Sequence, residues 1–151
     1  MRLIRPVLAA ILAFVSQNCF SAEPGSIPKE LSGLLSELPD KRIELDYSFS
    51  LEQNEVPVLF SGHAVLQQNF FRITGNGIEV FCDGGSVTYM DFEAKEAYVQ
   101  SGVAAEDYIR ENLQSVRDLK ISNIVRLPAA DDSSTFSAPA PGPDWVITDL
   151  R

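Results

Sequence analysis

An α+β fold, with helices laid against the apolar face of a curved antiparallel sheet, is predicted by three features of this 151-residue sequence. Residues 43–52 alternate apolar and polar without a break. Five further short apolar runs follow, separated by turn-forming residues, and an amphipathic segment of helical period stands on either side of the series. A chain of this length is expected to form a single domain around one core.

Composition narrows the function. Twelve Lys and Arg face twenty-one Asp and Glu, a net charge of −9. A nucleic-acid partner requires clustered cations to displace counterions, and the sequence holds no such cluster, so none is expected. The single His, His63, removes every metal site built on a His pair and leaves a catalytic triad only one place for its imidazole.

The elements follow in order. Arg2 and Arg5 precede the apolar run Val7 to Val15, which is followed by Ser16, Gln17 and Asn18. The run is too short to span hydrocarbon, which takes about 20 residues, and it fits the apolar region of a secretory signal peptide. Residues 1–22 are therefore read as a signal peptide and 23–151 as one domain, with cleavage after Ser21 or after Ala22. Cleavage before Cys19, with a lipid attached to its sulfur, is the alternative. Loss of residues 1–22 removes two arginines and no acid, so the remaining charge is −11, and Cys82 becomes the sole thiol.

Ser26 is a candidate N-cap, Pro28 sits in the first turn, and Ile27, Leu31, Leu34, Leu35 and Leu38 form one stripe until Pro39. From Ile43 to Glu52 the odd positions are Ile43, Leu45, Tyr47, Phe49 and Leu51, and the even ones are Glu44, Asp46, Ser48, Ser50 and Glu52. That is the signature of a half-buried strand. Strands are expected next over Pro57–Gln67, Phe70–Thr74, Ile78–Cys82, Ser86–Asp91 and Glu96–Ser101. Their connections, such as Gly75-Asn76-Gly77 and Asp83-Gly84-Gly85, are short enough to allow antiparallel neighbours only.

A second helix is expected over Ala105–Arg117, with Tyr108, Ile109, Leu113 and Val116 on one side. A strand is expected over Leu119–Leu127, with Leu119, Ile121, Val125 and Leu127 on one face and Asn123 as an interruption. Residues 128–143 read as a loop, mobile unless Phe136 anchors it, and Trp145–Asp149 as a last short strand.

Chemistry is scarce. His63 is expected in a structural or surface role, and Cys82 as a buried thiol without a base to activate it. Glu44 and Asp46 read as the solvated face of a strand. Asp131, Asp132 and Asp144 lack the spacing of a calcium loop. Neither catalytic residues, nor a metal, nor a cofactor is expected. What remains is an apolar face, since a twisted sheet of six or more strands curls on itself. Its expected lining is Tyr47, Phe49, Phe60, Leu66, Phe71, Phe81 and Tyr89, with leucines such as Leu31 and Leu35 added by the helices. Helix and sheet filling each other completely is the alternative.

The order of motifs resembles the LolA-like outer-membrane lipoprotein carriers. An amphipathic helix is followed by Tyr47-Ser48-Phe49, Phe60-Ser61-Gly62, Gln68-Asn69-Phe70-Phe71-Arg72-Ile73, Phe81-Cys82-Asp83-Gly84-Gly85 and Val87-Thr88-Tyr89, and the sequence closes on Asp149-Leu150-Arg151. The resemblance implies a half-open, incomplete barrel of about seven or eight strands with helices over its concave face. It also implies a periplasmic, monomeric carrier that holds lipoprotein acyl chains or another lipid, without catalysis, and deals with membrane-bound donor and acceptor proteins. Leu31, Leu35, Tyr47, Phe49, Phe60, Leu66, Phe71, Phe81 and Tyr89 would then line the ligand cavity. The alternative function is a non-catalytic structural or interaction protein with the same fold and a filled core.

Overall fold

The computed structural model describes residues 28–113, 116–130 and 133–151. The expected signal peptide, Cys19, Ser26, Ile27, Asp131 and Asp132 lie outside the described residues. Eight strands form one sheet: β1 (Lys41–Gln53), β2 (Val56–Gln67), β3 (Phe70–Gly75), β4 (Ile78–Asp83), β5 (Ser86–Asp91), β6 (Glu96–Ser101), β7 (Arg117–Pro128) and β8 (Val146–Asp149). Helix α1 (Lys29–Glu37) precedes them and α2 (Ala105–Asn112) stands between β6 and β7. The sheet order is β7-β1-β2-β3-β4-β5-β6-β8, so the sheet is open, with β7 and β8 as its edges.

Turn chemistry sets the meander. Asn54 and Glu55 both have positive φ (49° and 64°), as do Asn76 and Gly77 (52° and 78°), the handedness that continues the right-handed twist of a two-residue hairpin. Asp83 Oδ1 accepts the amide hydrogens of Gly85 and Ser86 at 3.0 and 2.9 Å, and Asp91 Oδ1 does the same for Glu93 and Ala94 at 3.0 and 2.9 Å. A carboxylate that bonds its own downstream backbone holds the turn without help from other parts of the chain.

The alternation of β1 sorts the sheet into two faces. Ile43, Leu45 and Leu51 are buried, and they share one hydrophobic core with Leu66, Phe71, Val80, Val87 and Tyr89 or lie at its margin. Leu31, Leu34, Leu35 and Leu38 of α1, and Ala105 and Tyr108 of α2, belong to that same core. On the other face, Phe81, Met90 and Ala97 make a second, smaller core with Ala138 and Trp145. Ala138 and Trp145 come from the connection ahead of β8, in which Phe136 is only 1% exposed, with its ring 5.7 Å from that of Phe70.

Two expectations are corrected. The sheet is mixed rather than wholly antiparallel, because β8 runs parallel to β6. Residues 129–145 carry the chain from one edge of the sheet to the other, and a crossover of that length permits a parallel neighbour where a hairpin does not. In β7, Leu119 and Ile121 do not share a face with Val125 and Leu127. Asn123 has φ of 50° and the register with β1 slips between Glu44 and Asp46, so one extra residue flips the strand. Ile124 packs on the core instead, while Val125 and Leu127 are exposed.

Gly62 and Gly75 are paired across β2 and β3, and neither can carry a side chain. A Cβ on Gly62 would lie 1.7 Å from the Thr74 carbonyl oxygen, and one on Gly75 2.6 Å from the Tyr47 hydroxyl. Replacing Gly62 with Ala is therefore expected to destabilise the fold by about 2–3 kcal/mol, seen as a lower urea midpoint at unchanged slope.

Candidate functional site: an apolar cavity between the sheet and the second helix

A cavity of about 170 Å³ lies between the core face of the sheet and α2. Its sheet side is made by successive inward residues of β1 to β4, among them Leu45, Tyr47, Phe49, Leu51, Phe60, Ala64, Leu66, Ile73, Ile78 and Val80. Leu31 enters from α1, and Tyr108, Ile109, Asn112 and Leu113 from α2 and its end. Val116, Leu119 and Ile121 complete the wall. Each strand contributes alternate residues because the side-chain period of a strand is two. Leu31, Leu45, Leu66, Ile78 and Val80 are buried, whereas Phe49, Ile109, Leu113, Leu119 and Ile121 are half-buried, so the cavity has a closed floor and a margin that meets solvent.

The lining contains no charged side chain and only three with polar groups, Tyr47, Tyr108 and Asn112. Two of these turn a polar atom to the backbone: the Tyr47 hydroxyl donates to the Thr74 carbonyl at 3.0 Å, and Asn112 Nδ2 to the Tyr108 carbonyl at 2.7 Å. The absence of Cβ atoms at Gly62 and Gly75 is what lets the Tyr47 ring cross β2 and reach Thr74. The Tyr47, Phe49 and Phe60 rings then stack in series, with centroids 5.7 and 5.5 Å apart. Burial pushes the Tyr47 and Tyr89 phenols up to about 12, and Tyr108 rises for the same reason. Such surroundings favour a neutral apolar ligand and oppose a buried charge.

Of the nine residues expected to line a cavity, Leu31, Tyr47, Phe49, Phe60 and Leu66 do so. Leu35, Phe71 and Tyr89 are fully buried in the adjoining core but do not reach the cavity; the Phe71 ring packs 4.6 Å from that of Tyr108. Phe81 is on the opposite face. It is paired with Arg72, whose guanidinium lies 5.1 Å from its ring centroid, and it packs in the smaller core. β4 is buried on both faces, so bulk alone pointed the wrong way and only parity places Phe81. Ile73, Ile78 and Val80 line the cavity beyond those nine, and the alternation of β3 and β4 places them on the same face as Phe71 and Cys82 respectively.

The remaining candidates are accounted for on the outer face and in the core. His63 Nδ1 lies 2.8 Å from Asp46 Oδ1, whose other oxygen accepts from Asn123 Nδ2 at 2.8 Å, and His63 Nε2 is 3.7 Å from Glu44. The bonds from Asn123 and then His63 hold the Asp46 carboxyl below its usual range. Cys82 is buried, its thiol faces the Asn69 carbonyl at 3.3 Å, and desolvation raises its pKa, the reverse of an activated nucleophile. Asp144 pairs with Lys95. Among the described residues no group of three His, Cys, Asp or Glu side chains is placed to hold a metal ion, and no helix is long and apolar enough to cross a membrane. The chain matches no protein-family model and no curated protein.

Two outcomes follow from this geometry. Phe49→Ala is expected to enlarge the cavity, whereas Phe81→Ala lowers stability by about 3–5 kcal/mol and leaves the cavity unchanged; binding of a small apolar gas or ring, read by NMR shifts at the lining methyls, separates the two. The buried phenols also set an alkaline limit. Unfolded tyrosine titrates near 10, so the stability they confer is complete below that pH and is lost as pH rises toward about 12. Urea unfolding above pH 10 should show a fall that is shallower in Tyr47→Phe.

Proposed function

We propose that the protein is a non-enzymatic carrier or binding protein for a lipid, a short relative of the LolA-like lipoprotein carriers acting in the periplasm after removal of its signal peptide. In this reading the open sheet is a half-open barrel whose concave face is covered by α1 and α2. The ligand is a lipoprotein acyl chain or another lipid, received from and delivered to membrane-bound partners. The observation that carries the proposal is the cavity itself, with uncharged, almost wholly hydrocarbon walls and a half-buried margin. Burying a methylene there contributes about 0.8 kcal/mol, so a chain of about fifteen gains on the order of 12 kcal/mol before the costs of binding, and it is handed on only if the fit is imperfect.

One observation favours a second reading, an interaction protein with a nearly filled core. The cavity, about 170 Å³, is close to the roughly 150 Å³ that accepts one benzene-sized group. A carrier must therefore widen it, by moving α2 or β7 outward, to take a whole acyl chain.

Native mass spectrometry and organic extraction of the protein purified from its own periplasm distinguish these readings. A carrier retains lipid, and Ile121→Trp, which fills the cavity from β7, lowers its affinity for an acyl probe at least about tenfold while the urea midpoint stays near that of the parent. Protein that is empty, and binds no acyl probe before or after the substitution, is the result that removes the lipid reading.

A further inference from the structure

The two edges of the sheet are finished differently. β7 is long, and it carries the features that prevent edge-to-edge pairing: residues at positive φ at Asp118 and Asn123 (54° and 50°), two register slips against β1, the charges of Arg117, Asp118, Lys120 and Arg126, and Pro128 at its end. β8 has no bulge and no proline, and its Val146 and Ile147 are 63% and 56% exposed, with Leu150 beyond it at 55%. The amides of Val146 and Leu150 donate to the carbonyls of Lys95 and Val99 in and beside β6, at 3.0 and 2.7 Å. In a parallel ladder alternate residues face the same neighbour, so Ile147 and Asp149 turn their N–H and carbonyl groups toward the open edge.

We infer that β8 pairs with β8 of a second copy of this chain, antiparallel about a twofold axis at Thr148, to make one continuous sheet. This departs from the monomer expected of a carrier and is independent of what the cavity holds. The register makes the edge self-complementary. Ile147 and Asp149 each meet the other residue of the second copy as a doubly bonded pair, so every outward backbone group of the strand is used. Val146 stands opposite Leu150 of the second copy on the same face, so these two exposed apolar side chains cover each other. Arg151 comes opposite Trp145 of the second copy, next to the Lys95–Asp144 pair, and Lys95, Asp144, Asp149 and Arg151 carry two charges of each sign, so the strip itself is balanced although each copy carries −9 overall. Salt, by screening that overall repulsion, strengthens the association.

Sedimentation equilibrium of the purified full chain, up to millimolar concentration and at low and high salt, tests this. Ile147→Pro removes only an outward N–H and leaves the β6–β8 ladder its donors. Val146→Lys acts through the side chain and serves where proline disturbs the strand. The expected result is a dimer that tightens with salt, is weakened at least about tenfold by each variant, and whose Ile147 and Asp149 amides exchange faster on dilution. A monomer at every concentration, or a dimer unaffected by both variants, overturns the proposal.

Discussion

The row Ile43, Leu45, Tyr47, Phe49 and Leu51 is the constraint on which the remaining structure depends. β1 is paired along its length with β2 and β7, and its period of two leaves no choice about which face is dry. The row enters the closed core at Ile43 and Leu45 and supplies the wall of the cavity from Leu45 to Leu51. Core and cavity are thus two overlapping stretches of one apolar face.

Polar links on both faces tie β7 to its surroundings, Arg126 on the side of α1 and Asn123 and Arg117 on the outer side. Arg126 bonds Glu37 of α1 at 2.9 Å, Asn123 bonds Asp46, and Arg117 lies 3.3 Å from Glu52. Beyond the strand end, the buried amide of Gln67 exchanges hydrogen bonds with the backbone of Ala130 at 2.9 and 3.3 Å and accepts from Arg42 at 3.2 Å. Exposed ion pairs contribute little individually, whereas Gln67 is buried and satisfied, so it is the firmer anchor. β7 is in consequence anchored by buried polar bonds beyond its Pro128 end, while its Arg117 end rests on its ladder with β1 and on the packing of Leu119 and Ile121 beside the cavity.

The meander β1 to β6, the first helix and the apolar row were legible because each rests on local information, a period or a turn within a few residues, while the second helix ends at Asn112 rather than at the expected Arg117, which belongs to β7. Three things were not. The reversal of β7 at Asn123 turns on a single backbone dihedral, which in the sequence is no more than an Asn interrupting an apolar run. The parallel placement of β8 depends on where a long crossover travels, and nothing in residues 129–145 encodes direction. Phe81 was misplaced because a strand buried on both faces offers an aromatic residue two equally apolar surroundings, so parity relative to Val80 and Cys82 had to outweigh size. The cavity is a different case. Its lining residues are individually readable, but its volume is the distance between α2 and the sheet, a packing quantity that no residue pattern records.

The order of the strands along the chain has a bearing on assembly. β1 to β6 join neighbours through hairpins, whose loop-closure entropy is small, while β7 must return to β1 across most of the domain. Leu119 and Ile121, which close the cavity wall, are therefore supplied by the most distant pairing in the sheet. A chain whose β7 has not yet docked has the floor of the cavity before it has the wall, and for that interval it presents the stacked rings of Tyr47, Phe49 and Phe60 as an open apolar surface rather than an enclosed one.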